Sequence, residues 1–217
     1  MARTVDHQQH RERREAITLA AAALFARRGF AGTTTAEIAR AAGISTGSLF
    51  YYFPDKPAIF RAIFELDIPA SRELFQAHVD SDDPAASILE VVSTLAAPAR
   101  DEPAPGLMVE LLRQAGSDPQ LREVVATNEA IVQDGLATLL RRAAADGLVD
   151  RSLDAGQGAV WIRTIIDAAF LNAGRATDVD PLPMLRLIIT RFLGMNGATQ
   201  DPNAEQETSW HRPSRTA

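Results

Sequence analysis

The chain has 217 residues, 46% hydrophobic and 6% aromatic, with a formal net charge of −6, which is enough for one sizeable core or two small ones. It contains no cysteine, and that excludes disulfide frameworks, zinc fingers and cysteine nucleophiles together. The N-terminus has no apolar signal core, and no apolar run approaches the ~18–20 residues that span a bilayer, so a cytoplasmic protein is expected. The charge is divided unevenly. Residues 1–64 carry nine basic against five acidic side chains, and residues 65–217 carry 13 against 23. A basic head on an acidic body suits a protein whose head alone meets phosphate.

Residues 1–10 are polar and are expected to be a disordered arm. From about 10 to 28, Ile17, Ala20, Ala21, Leu24 and Phe25 recur at helical spacing, and Gly29 ends that helix. Thr34 followed by Glu37 is a capping box that starts a second helix, with Ile38 and Ala39 on its packing face. Gly43 stands where the chain must turn, and glycine enters the left-handed conformation without steric cost. Ser45 then caps a third helix, 46–52, anchored by Leu49 and by Phe53 just beyond it. Its other face carries Thr46, Gly47, Ser48, Tyr51 and Tyr52, which are small, hydroxylated or aromatic. Two short helices about a glycine turn, the second presenting donors and flat rings, have the helix-turn-helix form.

The run from Thr33 to Lys56 (TTTAEIARAAGISTGSLFYYFPDK) resembles the DNA-binding signature of the tetracycline-repressor (TetR) family. The matching positions are Thr33, Thr34, Ile38, Ala39, Ala42, Gly43, Ile44, Ser45, Gly47, Leu49, Phe50, Tyr52, Phe53 and Lys56, and with the preceding helix the likeness covers roughly residues 11–71. It implies that Thr46, Ser48 and Tyr51 face base edges while Gly47 permits close backbone approach. Thr34, Thr35, Tyr52 and Lys56 would hold phosphates, with the amides at the helix N-termini, Ser45 included, adding their dipole. The family most often has tyrosine at Phe50, so a phosphate contact from that phenol is absent here. No recognition-helix side chain is Arg, Asn or Gln, so readout would rest on hydroxyls, thymine methyls and Tyr51.

Asp55 caps a fourth helix with Pro57 in its first turn and Ile59, Phe60, Ile63 and Phe64 on its apolar face. Pro69 then either kinks this helix on its way to Val79 or marks an end and a fresh start. Further helices are expected over about 85–99, 106–115, 117–145, 158–173 and from 181, with 98–106 (PARDEPAPG) a loop on composition. The fold class is therefore all-α, about nine helices: a three-helix head and a helical body. The last two helices are apolar over more than one face, which favours a homodimer built on Trp161, Ile165, Ala169, Leu185, Ile189 and Phe192. Residues 195–217 are polar, contain two prolines and should be disordered.

On the same resemblance, residues 11–71 form the DNA-binding domain and 72–194 a ligand-binding and dimerisation domain. Asn128, a polar residue in the apolar stripe of 117–145, is the best-motivated pocket residue, with Met108, Leu111, Leu112 and Trp161 as further lining. An apolar or amphipathic effector fits the Ala, Leu and Val content. Catalysis has little support: His78 lacks a Glu three residues before it, and neither a G-x-S-x-G nor a phosphate-binding glycine loop occurs. No metal or cofactor is expected. The implied function is a dimeric repressor that binds a palindromic operator in double-stranded DNA and is released by a small molecule. An activator, or an effector-independent DNA-binding protein of the same fold, is the alternative.

Overall fold

The computed structural model describes residues 2–101, 103–173 and 180–195, and every regular element among them is helical. The first helix, α1 (Ala2–Arg28), starts well before residue 10, so the expected disordered arm is instead helix. No Gly or Pro interrupts it. Gln8 and Glu12, one turn apart, join through a 3.0 Å side-chain hydrogen bond, so local propensity carries the helix beyond its apolar stripe.

α2 (Thr35–Ala41) and α3 (Thr46–Tyr52) follow with the expected caps. Glu37 N–H donates to Thr34 Oγ1 at 3.2 Å while Thr34 N–H donates to the Glu37 carboxylate at 2.9 Å, completing the capping box. Gly43 takes φ 67°, the left-handed value the turn requires. Ile17, Ala21, Phe25, Ile38, Leu49, Phe53 and Phe60 are buried together as the core of the head. Each of these side chains larger than alanine contributes roughly 1.5–3 kcal/mol of burial before chain entropy is subtracted.

The connector resolves into α4 (Lys56–Glu65) and α5 (Asp67–His78), broken at Leu66. Pro69 accounts for the position of the break. It has no N–H for a helical bond, and its ring would clash with the carbonyl four residues back, that of Glu65. Of the two alternatives the fresh start is the one realised, with Pro69 in the first turn of α5, where a missing N–H costs nothing. The body adds α6 (Pro84–Ala96), a 3-10 turn (Ala97–Arg100), α7 (Pro103–Ala115), α8 (Pro119–Ala145), α9 (Ala155–Ala173) and α10 (Pro181–Phe192). Counting α4 and α5 as one bent helix gives nine among the described residues. The helix α7 begins inside the segment expected to be a loop, because Pro103 and Pro105 both fall in its first turn.

Ile88, Val92, Leu136, Leu140, Ile162, Ile166, Leu185 and Ile189 close a second core among α6, α8, α9 and α10. The two cores meet along the chain's middle. Leu121 of α8 is fully buried in the head cluster, and Leu107, Leu111 and Val125 pack against it. No helix among the described residues is long and apolar enough to cross a membrane. The tail from 196 to 217 lies outside the described residues.

Candidate nucleic-acid interface and cavity

Leu49 is fully buried and fixes α3 on the head, which turns Gly47, Ser48, Phe50 and Tyr51 outward. Tyr51 is 75% exposed, an unusual position for so large an apolar surface. Ser45 Oγ accepts from Ser48 N–H at 3.0 Å and lies 2.8 Å from Ser48 Oγ, so both hydroxyls are oriented by the cap. Thr46 and Thr35 are half-buried, and Thr34 is exposed on the first turn of α2. Its partner Glu37 is held below the usual carboxylate range, chiefly by the Thr34 backbone N–H and hydroxyl, with Arg28 at 2.6 Å adding to this.

Two contacts with α1 were not legible in the sequence. His10 lies tilted against Tyr52 with centroids 4.9 Å apart and meets Tyr51 edge-on at 5.8 Å. The two tyrosines lie edge to face at 5.1 Å, so three rings form one cluster at the end of α3. Arg14 donates to the Tyr52 carbonyl at 3.0 Å and covers the Phe53 ring at 4.2 Å, closing the C-terminus of α3.

Lys56 is placed otherwise than as a free phosphate ligand. Its ammonium donates to the carbonyls of Phe30 (2.8 Å) and Thr33 (2.9 Å) and sits over the Phe30 ring. It thus clamps the α1–α2 turn to the start of α4, with one N–H left over. On the far side of that turn, Phe30 N–H donates at 2.9 Å to Glu110 of α7, a buried carboxylate also held by Arg113 at 2.7 Å. Burial is the largest single effect and pushes the Glu110 carboxyl up, but the Phe30 N–H and Arg113 together outweigh it and hold it below the ordinary value.

Behind the head lies a cavity of about 360 Å³ among α4 to α9, within the size range of small-molecule sites. Met108, Leu111 and Asn128 line it, with Phe64, Leu74 and Phe170 among the apolar walls. The Asn128 amide oxygen is enclosed without a hydrogen-bond partner among the described residues. Asp67, the first residue after the break, and Arg163 also line the cavity. Asp67 is accessible by area, yet enough protein surrounds it that desolvation pushes its carboxyl up to about 6, with Arg163 opposing. Leu112 is 62% exposed and Trp161 57% exposed, and neither lines the cavity. Their spacing along α7 and α9 turns them to the outer faces, so both are withdrawn as ligand residues.

Residues 17–63 match the model of the family described as bacterial regulatory proteins, tetR family. Those residues carry that family's DNA-binding domain. Among curated relatives, the HTH-type transcriptional regulator RutR of Escherichia coli is 28% identical over 127 residues, 58% of this chain and 60% of RutR. The chain thus spans about 60% of the length of the curated relative it matches. A TetR regulator structure from Haloarcula marismortui superposes with a TM-score of 0.73 at 21% identity, covering 84% of this chain and 96% of that one. FadR of Bacillus subtilis, in complex with stearoyl-CoA, superposes at 0.71 and 20% identity, covering 83% and 98%. At such identities these structures show that the fold is shared. The family is one of transcription regulators, not of enzymes.

The helices α9 and α10 present an outward apolar face, though not with all the expected residues. Ala169, Leu185 and Ile189 are buried in the chain's own core, and Ile165 and Phe192 are partly buried against it. They follow the stripe that closes α9 and α10 on each other. The residues left outward are Val160, Trp161, Leu171, Met184 (59% exposed), Leu187 and Ile188. A groove of about 450 Å³ runs between the two helices past Ile165, Ala168, Met184 and Ile188.

Proposed function

We propose that this protein is a TetR-family DNA-binding repressor that acts as a homodimer and is released by a small molecule. The outward face of α3, with Tyr51 projecting from a helix fixed at both ends, carries the proposal. Thr46, Ser48 and Tyr51 read base edges, and Gly47 lets the backbone approach. Thr34, Thr35, Tyr52, the N-terminal amides of α3 at Ser45 and the remaining N–H of Lys56 meet phosphates. Arg40, exposed on α2 and without an ion pair among the described residues, adds a cation that the sequence motif did not single out.

The cavity is connected to that face through a short relay of chain neighbours and hydrogen bonds. On α7, Met108 and Leu111 line the cavity while Glu110 holds Phe30 N–H. Phe30 and Thr33 carbonyls hold Lys56, the first residue of α4, whose far end also lines the cavity. An occupant that moves α7 or the break at Leu66 therefore changes how the turn before Thr34 is held, and favours heads unfit for DNA by population shift. The complex of FadR with stearoyl-CoA lends weight to an amphipathic occupant in this fold.

Fluorescence anisotropy with a selected duplex and an unrelated duplex of the same length tests the reading. Tyr51→Ala weakens the selected duplex at least tenfold more than the unrelated one. Equal loss on both means that Tyr51 reads no bases.

A further inference from the structure

The polar groups of the cavity restrict the chemistry of its occupant. Asp67 and Arg163 are the charged residues that line it, and Arg163 Nη1 already lies 2.5 Å from Asp167, close though out of line for a hydrogen bond. Glu129 is near enough to disfavour the ionised form of Asp167. Asp67 and Asp167 thus share one guanidinium, and Glu129 adds a further negative charge beside Asp167. Of these, Asp67 is the one that faces the cavity and has no hydrogen-bonded cation among the described residues. Asn128 adds an amide whose oxygen lacks a donor among the described residues, and a turn about its last torsion brings a polar edge to an occupant. The remaining walls, Phe64, Leu74 and Met108 among them, are apolar.

Resting on the reading of this cavity as the effector site, we propose that its occupant is an amphipathic organic cation, an amine or amidine on an apolar body. The positive group sits against the Asp67 carboxylate and donates to Asn128, while the body lies on the apolar walls. A carboxylate of the same shape meets Asp67 as a like charge, and Arg163 is already engaged. Asp67 is also the first residue after the helix break, so a cation drawn to it acts directly on the joint between α4 and α5.

Calorimetric titration of the full chain at pH 7.5 with octylamine, octanol and octanoate tests this, since the three share one body. Octylamine is expected to bind at least tenfold tighter than octanol, and octanoate more weakly than octanol. Asp67→Asn brings octylamine within threefold of octanol and leaves octanol unchanged. Met108→Trp, which fills the cavity, weakens all three. Octanoate binding tighter than octanol, an amine preference that survives Asp67→Asn, or no binding of any probe each overturns the proposal. Repeating the titrations on the DNA-bound protein separates the two readings. Asp67-dependent amine binding that leaves DNA affinity unchanged keeps the ligand class and sinks the effector role. DNA release by octanol or octanoate and not by octylamine keeps the effector role and sinks the ligand class.

Discussion

Asp67 stabilises the fold least when it is charged. Desolvation raises its pKa to about 6 from 3.8, against the pull of Arg163. Between those values the folded state holds the proton more tightly than the unfolded one, so stability falls as pH rises through that window. Asp67→Asn should therefore raise stability at pH 7.5 by up to about 1 kcal/mol, discounted for solvent access. The gain should vanish below pH 4, as chemical denaturation at the two pH values would show; a loss at pH 7.5 contradicts it. Glu110 behaves oppositely. Its pKa lies below 4.5, so its contribution is present above that value and is lost as pH falls through the folded pKa. Glu110→Ala leaves Phe30 N–H without a partner and should cost about 1–3 kcal/mol at neutral pH. Much at this scale was legible: the Thr34–Glu37 box, the Ser45 cap and the Gly43 turn are local, and local chemistry is written in adjacent residues. Lys56, His10 and Glu110 were not, because their partners lie 20 to 80 residues away, in pairings that only the folded chain creates.

Among the elements, the junction of α1 and α7 is where head and body touch most closely. A Cβ built at Gly106 would lie 2.4 Å from the Ala26 carbonyl oxygen, a backbone atom that cannot swing aside. Gly106→Ala should thus cost about 2 kcal/mol or more despite the better helix propensity of alanine. Thermal unfolding with and without DNA would detect both the loss and a loosened head; an unchanged or raised midpoint contradicts the close approach. Helix positions were readable wherever caps and periodicity agreed, as at Asp118–Pro119 for α8. They failed in two places for physical reasons. Residues 2–9 lack an apolar stripe but have no breaker, and the Pro-rich run before Gly106 looks like a loop although first-turn prolines are compatible with helix. Pro69 announced a discontinuity, but its place at Leu66 follows from the carbonyl that the ring would strike.

At the scale of the molecule, periodicity marked α9 and α10 as too apolar for a lone chain but could not say which residues its own core would take. The structure assigns Leu185 and Ile189 to the core and leaves Trp161, Met184 and Ile188 outward. If a second copy covers that face, Met184→Glu should shift the protein from dimer to monomer in sedimentation velocity while leaving its helical content unchanged. A monomeric parent protein would rule the interface out. The dimer and the α3 face together make one demand on DNA, because two heads related by a two-fold axis read a symmetric site. Selection of bound duplexes from a random pool tests that demand most directly. The expected product is a near-palindrome whose half-sites are centred about 10 bp or a multiple of it apart, with enrichment lost in Tyr51→Ala. A pool that never enriches, or that converges on a site without two-fold symmetry, would contradict the account.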